Sequence, residues 1–125
     1  VLVRTSNAGA SEFQDLIVDG EPLYMRVAKN VATAWNMNGN CGVVVGATYP
    51  GELAEIRSII GDMPILIPGV GAQGGDPREA FNLGKNARGG GVIISSARSI
   101  IFASSGEDYA DAARNSAKKL VDEIG

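Results

Sequence analysis

The feature that most constrains this fold is a regular alternation of short apolar runs with longer amphipathic stretches. The apolar runs cover residues 1–6, 42–46, 65–67 and 92–96. Strands that are apolar throughout and alternate with amphipathic helices form a parallel sheet covered by helices. The sequence therefore predicts an α/β fold of four βα units, in one domain over residues 1–125.

Two architectures contain four such units. One is an open, doubly wound sheet, and the other is half of an eight-unit barrel. A complete barrel has a typical length of about 250 residues, close to twice the 125 residues of this chain. Composition and periodicity do not choose between the two.

Start and stop signals define the expected helices. One helix starts near Pro22 and carries an apolar stripe as far as Trp35. The next ends at Gly61, a residue suited to the position that follows a helix. Ser105, with Asp108 three residues on, resembles a capping box for the last helix.

Composition excludes several classes of function. The net charge of −3 argues against nucleic acid as a partner. No apolar run approaches the ~20 residues that a membrane helix needs. The chain has no histidine, so Ser-His and Cys-His nucleophiles and imidazole metal ligands are absent. The single cysteine, Cys41, cannot form a disulfide within the chain, which fits the cytoplasm.

A glycine-rich loop follows the third apolar run. Glycines occupy positions 69, 71, 74 and 75, and Asp76-Pro77 then supplies a cap residue and a first-turn proline for a helix. Backbone N–H groups in such loops and at helix N-termini attract anions. The segment therefore predicts a phosphate site.

Residues 69–74 also match the G-x-G-x-x-G pattern of dinucleotide sites. Such a site needs an acidic residue about twenty positions on, and this region contains none, although Arg98 could meet the extra phosphate of NADP. A third interpretation is that the glycines only turn the chain tightly.

Polar residues follow the other strands at the same rim. Arg98 comes just after the fourth strand, where it can grip phosphate oxygens or form a surface salt bridge. Gln73 is a neutral donor or a plain loop residue, and Ser6 and Asn7 either bond a polar ring or cap a turn. Acidic side chains such as Glu52 are expected on solvated helix surfaces, and the lysines are also helical.

Four motifs carry a resemblance to a known family. They are Arg-Thr-Ser-Asn at 4–7, Val-Gly-Ala-Thr-Tyr-Pro at 45–50, Ile-Pro-Gly-Val-Gly-Ala-Gln-Gly-Gly at 67–75 and Ser-Ser-Ala-Arg at 95–98. In order and spacing the chain resembles the C-terminal half of orotidine 5′-phosphate decarboxylase, in its bacterial subgroup with longer chains.

The resemblance implies strands five to eight of a (β/α)8 TIM barrel. It also implies that Gln73, Arg98 and the backbone N–H of Ala97 hold the 5′-phosphate of orotidine monophosphate or UMP. Ser6 would bond the pyrimidine ring and Pro68 would pack near it. The implied partners are the N-terminal half of the enzyme and a second subunit, with no metal and no cofactor.

One departure from the family pattern matters for activity. The family's D-x-K-x-x-D-type motif, with the lysine that protonates the ring carbon, does not occur in this chain. We therefore expect no catalytic residues here, and a chain that binds without turnover. The alternative is a non-catalytic module that binds a phosphate ligand or associates with itself through open sheet edges.

Overall fold

A computed structural model of the chain describes residues 1–71 and 73–125. Ala72, which belongs to the glycine-loop motif, lies outside the described residues. The strands are β1 Leu2–Arg4, β2 Ile17–Val18, β3 Glu21–Pro22, β4 Val43–Val45, β5 Ile65–Pro68 and β6 Val92–Ser95. The helices are α1 Ser11–Gln14, α2 Leu23–Ala32, α3 Pro50–Ile60, α4 Pro77–Gly84, α5 Arg98–Ile101 and α6 Tyr109–Ile124, with a 3₁₀ turn at Ala8–Ala10.

The main sheet has four parallel strands in the order β1-β4-β5-β6. The predicted α/β fold of four βα units is therefore confirmed. A separate two-stranded hairpin, β2-β3, turns at Asp19 and Gly20, both with positive φ. A tight hairpin turn of this kind requires positive φ at its two central residues, which explains the break that the sequence shows there.

One face of the sheet packs against the helices and forms the core. The fully buried side chains of the strands include Val43, Val45, Ile65 and Ile67, and those of the helices include Val31, Leu53 and Ile56. Alternate side chains of a strand point to opposite faces, so the neighbouring strand residues lie on the other face.

That other face carries an apolar row that the described residues leave partly uncovered. Leu2 pairs with Val44, Val44 with Leu66, and Leu66 with Ile93, so the four lie side by side across the sheet. Leu2 and Ile93, at the two ends of the row, are 59% and 58% exposed. We call these four residues the concave row.

A buried arginine joins the amino ends of β5 and β6. From α3, the Arg57 guanidinium donates to the carbonyls of Gly84 at 2.5 Å, Gly61 at 2.7 Å, Met63 at 2.8 Å and Gly91 at 3.2 Å. Burial lowers the pKa of Arg57, partly offset by the charge of Asp62. Four of the five N–H donors of the guanidinium thus have carbonyl acceptors in place of water.

The helix ends agree with the sequence in two places and differ in two. Asp76 caps α4 by accepting from the Glu79 amide at 2.7 Å, and Gly61 ends α3 with φ of 58°.

The predicted extension of α2 to Trp35 is wrong, because the helix ends at Ala32 and Trp35 is 53% exposed. The capping box at Ser105 is also wrong. The hydroxyl of Ser104 donates to Asp108 at 2.5 Å, and α6 has no side-chain cap.

Candidate functional site

The candidate site lies at the rim formed by the carboxyl ends of the parallel strands. Ser6 follows β1, Gly46 follows β4, the glycine loop follows β5, and Ala97 and Arg98 follow β6. Because all four strands run the same way, their carboxyl ends meet at one edge of the sheet. This edge is where ligands bind in parallel α/β proteins.

A side-chain hydrogen bond joins the first and third of these segments. The Ser6 hydroxyl donates to Oε1 of Gln73, although the two residues are 67 positions apart. With Oε1 engaged, the Gln73 amide nitrogen keeps both of its protons for other acceptors. The contact therefore orients Gln73 as a donor.

Two glycines allow this approach. A Cβ at Gly46 would lie 2.8 Å from the Ser6 amide nitrogen. At Gly69, where φ is +91°, a Cβ would lie 3.0 Å from both Ser6 Oγ and Gln73 Oε1. Any larger residue at either position would push Ser6 or Gln73 out of place.

The glycine loop uses several of its amides internally. The amides of Gly71, Gly74 and Gly75 donate to the carbonyls of Gly75, Gly71 and Gly69 at 2.9, 2.8 and 3.2 Å. The N-terminus of α4 is occupied by the Asp76 carboxylate. An anion held by the whole row of loop amides or by the start of α4, as the sequence suggested, is not supported by this geometry.

The start of α5 offers free amides instead. Ala97 and Arg98 stand at the N-cap and first position of this short helix, where backbone N–H groups have no partner within a helix. Among the described residues, no backbone acceptor pairs with either amide. Their N–H groups are therefore available to a ligand.

The glycine loop and the start of α5 line one small cleft. Its walls are Pro68, Gly69, Val70, Gln73, Ser95, Ser96, Ala97 and Arg98. Of these described lining residues, Arg98 alone carries a charge, and its guanidinium forms no ion pair in the described part of the chain. The cleft is thus positive within a chain of net charge −3, which favours an anionic ligand.

Comparison with known proteins identifies the family. The chain matches the model of the orotidine 5′-phosphate decarboxylase / HUMPS family over residues 1–114. This chain belongs to that family. The match covers the four strands of the main sheet and the whole rim.

Curated relatives of this family member support the assignment. The chain is 54% identical over 124 residues to orotidine 5′-phosphate decarboxylase from Janthinobacterium sp. (strain Marseille) and 53% identical to that from Azoarcus sp. (strain BH72). In each case the match covers 99% of this chain but 46% of the relative. The chain thus spans about half the length of these curated relatives.

Solved structures of the family share the fold. The chain superposes on Leishmania donovani UMP synthase with a TM-score of 0.80 and 36% identity, over 98% of this chain and 27% of that one. For Leishmania donovani OMP decarboxylase the TM-score is 0.79 with 32% identity, over 98% and 46%. The four βα units therefore correspond to part of a TIM barrel, which decides between the two architectures that the sequence allowed.

The structure brings most of the predicted site residues of the decarboxylase family together. Pro68, Gln73, Ala97 and Arg98 line the same cleft, and Ser6 touches Gln73. Their roles toward phosphate and pyrimidine stay predictions. Asn7, which was predicted together with Ser6 to bond a polar ring, is exposed and does not line the cleft.

In residues 1–71 and 73–125, no group of three histidine, cysteine, aspartate or glutamate side chains is placed to hold a metal ion. No helix in the same ranges is long and apolar enough to cross a membrane.

Sequence reasoning missed a buried charge beside the site. Arg4, the last residue of β1, is 1% exposed and forms an ion pair with Glu52 at 2.6 Å. The expectation that Glu52 is simply solvated on a helix surface is therefore wrong. No local signal marks this pair, because its members lie 48 positions apart.

Proposed function

We propose that this chain is the phosphate- and pyrimidine-binding half of an orotidine 5′-phosphate decarboxylase. The complete enzyme would convert orotidine monophosphate to UMP and carbon dioxide. The observation that carries the proposal is the convergence of Gln73, Arg98 and the Ala97 amide on one positively charged cleft. Family membership favours such a mononucleotide over a dinucleotide.

Each residue has a distinct task in this proposal. The Arg98 guanidinium donates two parallel hydrogen bonds to two phosphate oxygens. The side-chain amide of Gln73 and the backbone N–H of Ala97 donate to the phosphate as well, and together the three residues form the phosphate grip. Ser6 links that grip to the pyrimidine ring through its contact with Gln73. Pro68, on the same wall, packs near the ring.

The phosphate contacts would contribute to catalysis although they lie away from the bond that breaks. Binding energy from a remote phosphate can stabilise the transition state at the reacting ring. Because the D-x-K-x-x-D-type motif is absent from this sequence, the lysine that protonates the ring carbon must come from elsewhere. We infer that it comes from the N-terminal half of the enzyme, whose strands would complete the barrel around residues 1–125.

A chimera tests the proposal. The N-terminal part of the Janthinobacterium relative is joined to this chain, and loss of orotidine monophosphate is followed by absorbance. We expect activity in the chimera and none in the 125-residue chain. Arg98→Ala should lower kcat/KM of the chimera about 10²–10³-fold, the loss typical of one oxyanion-binding donor.

Arg114→Ala is the matched control, because Arg114 is exposed on α6 and outside the cleft. It should leave kcat/KM unchanged. An Arg98→Ala chimera with the kinetics of its parent would remove Arg98 from the phosphate site. A well-folded chimera without any activity would contradict the proposed function itself.

A second candidate is a self-associating half-barrel, which the concave row favours. Leu2 and Ile93 expose apolar surface at strands that each have a free edge, and free edges pair. Two copies would close an eight-stranded barrel with two clefts. Light scattering measures the molecular mass of the 125-residue chain, and a titration measures its binding of UMP. A dimer that binds UMP would support self-association, whereas a monomer that binds none would indicate that the N-terminal half is needed.

Two further expectations stay predictions. Family resemblance implies a homodimer of the complete enzyme, and the single cysteine implies the cytoplasm. Cys41 is a free, half-buried thiol that packs against the core, as a small apolar residue would.

A further inference from the structure

The most unusual group near the site is the guanidinium of Arg4, which is buried at the carboxyl end of β1. Its Nε and Nη2 donate to the two carboxylate oxygens of Glu52 at 2.6 and 3.2 Å. Its Nη1 lies 2.6 Å from the Asp15 carboxylate. A buried charge is tolerated only when it is paired and hydrogen-bonded in this way, so the arrangement fixes the guanidinium in one place.

Two aromatic rings enclose the same guanidinium. Its central carbon lies 5.0 Å from the ring centroid of Tyr24 and 4.6 Å from that of Tyr49. Both distances are within the range of a cation–π contact. Arg4 thus ties β1 to α2, to α3 and to the segment after α1, and all of these contacts lie at the rim end of the strand.

The chain between Arg4 and the cleft is short and well held. The amide of Thr5 donates to Gln14 Oε1 at 3.0 Å, and Gln14 Nε2 donates back to Thr5 Oγ1 at 3.0 Å. The Gly46 amide donates to the Arg4 carbonyl at 2.8 Å. Ser6 comes next, so the only residue between it and Arg4 is Thr5, which is held by its two hydrogen bonds with Gln14.

We propose that Arg4 is a positioning residue, whose ion pairs with Glu52 and Asp15 hold Ser6 where it can orient Gln73. Arg4 itself does not line the cleft. If these ion pairs were weakened, Ser6 would no longer be held in place. The Gln73 side-chain amide would then lose the orientation in which it donates to the anion. The ligand part of this inference rests on the proposed function, whereas the mechanical part does not.

The test separates binding from stability. Glu52→Gln removes one charge and keeps the shape, and Glu55→Gln makes the same change at an exposed position on the same helix. UMP is titrated into each 125-residue chain, and urea unfolding is measured in parallel. We expect Glu52→Gln to weaken UMP binding about tenfold or more, since small misplacements in a site have large effects, and Glu55→Gln to bind as the parent does.

A conservative variant sharpens the result. Arg4→Lys keeps the charge but loses the two-pronged contact with Glu52, so its affinity should fall between those of the parent and Arg4→Met. A purely structural role would lower the urea midpoint and leave the UMP affinity of the folded protein unchanged. That outcome would overturn the proposal, and Arg4→Lys supplies the measurement if Glu52→Gln does not fold.

If the 125-residue parent chain binds no UMP, that result counts against the proposal that this half binds the nucleotide by itself. Hydrogen exchange then tests the positioning role of Arg4 without a ligand. Exchange at the amides of Thr5 and Ser6 should be faster in Glu52→Gln than in Glu55→Gln, with no change at the Arg57 end of the sheet. Equal exchange rates at Thr5 and Ser6 in the two variants would contradict the positioning role.

Discussion

At the scale of single residues, buried charge and its partners shape the environment of the rim. Burial alone lowers the pKa of Arg4, but the hydrogen bonds and charges of Glu52, and then of Asp15, outweigh it and raise the pKa. The neighbouring Tyr24 phenol responds to the same groups. Burial raises the pKa of Tyr24, the charges of Glu52 and Glu55 raise it further, and the Arg4 charge lowers it in part.

This shift predicts a pH dependence of stability. An unfolded tyrosine ionises near pH 10, whereas Tyr24 in the folded chain keeps its proton to higher pH. Above pH 10 the unfolded state therefore binds fewer protons, and the free energy of unfolding falls as pH rises. Urea unfolding between pH 9 and 11.5 should show this decline.

Tyr24→Phe should flatten the decline, because the variant has no phenol to ionise at that position. Tyr109→Phe, at an exposed position, is the control and should leave the slope as it is. An identical slope for Tyr24→Phe and the parent would show that Tyr24 is not the group responsible.

At the scale of elements, the glycine loop is held by close approach as well as by hydrogen bonds. A Cβ at Gly75 would lie 2.5 Å from the Ala47 Cβ and 2.9 Å from the Gly69 carbonyl oxygen. Neither atom can move aside by a side-chain rotation, because one is a Cβ and the other belongs to the backbone. The loop can therefore pack against the end of β4 only with glycine at this position.

We expect Gly75→Ala to lower the free energy of unfolding by about 1–3 kcal/mol, the range for overpacking. It should also weaken UMP binding, because the loop that carries Gln73 must shift. Gly51→Ala is the control, since a Cβ there meets nothing within 4 Å. Unchanged stability of Gly75→Ala in urea would contradict the close packing.

The sequence predicts these elements better than it predicts their contacts. The Asp76-Pro77 start of α4 and the Gly61 end of α3 are local signals, written in adjacent residues, and both are confirmed. The bonds of Ser6 to Gln73 and of Arg4 to Glu52 span 67 and 48 positions. Such pairs depend on how the strands order themselves in the sheet, which no local pattern encodes.

The site shows the same division. Gln73 and Arg98 stand out as polar residues at strand ends, and the structure brings them into one cleft. The internal bonding of the loop amides could not be anticipated, because it depends on the left-handed backbone at Gly69, Gly71 and Gly74. Trp35 was misplaced because helical spacing continues in the sequence beyond the point where α2 ends.

At the scale of the whole molecule, the two faces of the sheet differ. One face is sealed by helices, and the concave row on the other is partly open. Exposed apolar side chains also follow both edge strands in the sequence, with Phe13 and Ile17 after β1 and Phe102 after β6. The exposed ends of the concave row, Leu2 and Ile93, are typical of a face that another part of a protein covers.

We expect Ile93→Asn to weaken assembly of this chain with a separately expressed N-terminal part of the Janthinobacterium relative. The polar side chain would replace apolar surface in the middle of the joined barrel. Met37→Asn is the control, because Met37 is exposed outside the concave row. Size-exclusion chromatography of the mixtures measures the assembly, and equal complex formation by both variants would exclude the concave row as the contact surface.

The buried Arg57 guanidinium bears on which substitutions the fold can accept. It joins the residues just before β5 and β6, at the end of the sheet opposite the rim where the cleft lies. Substitutions in the cleft-lining loops leave those four carbonyl contacts untouched. We therefore expect substitutions in those loops to change ligand preference at the rim without loosening the amino ends of β5 and β6.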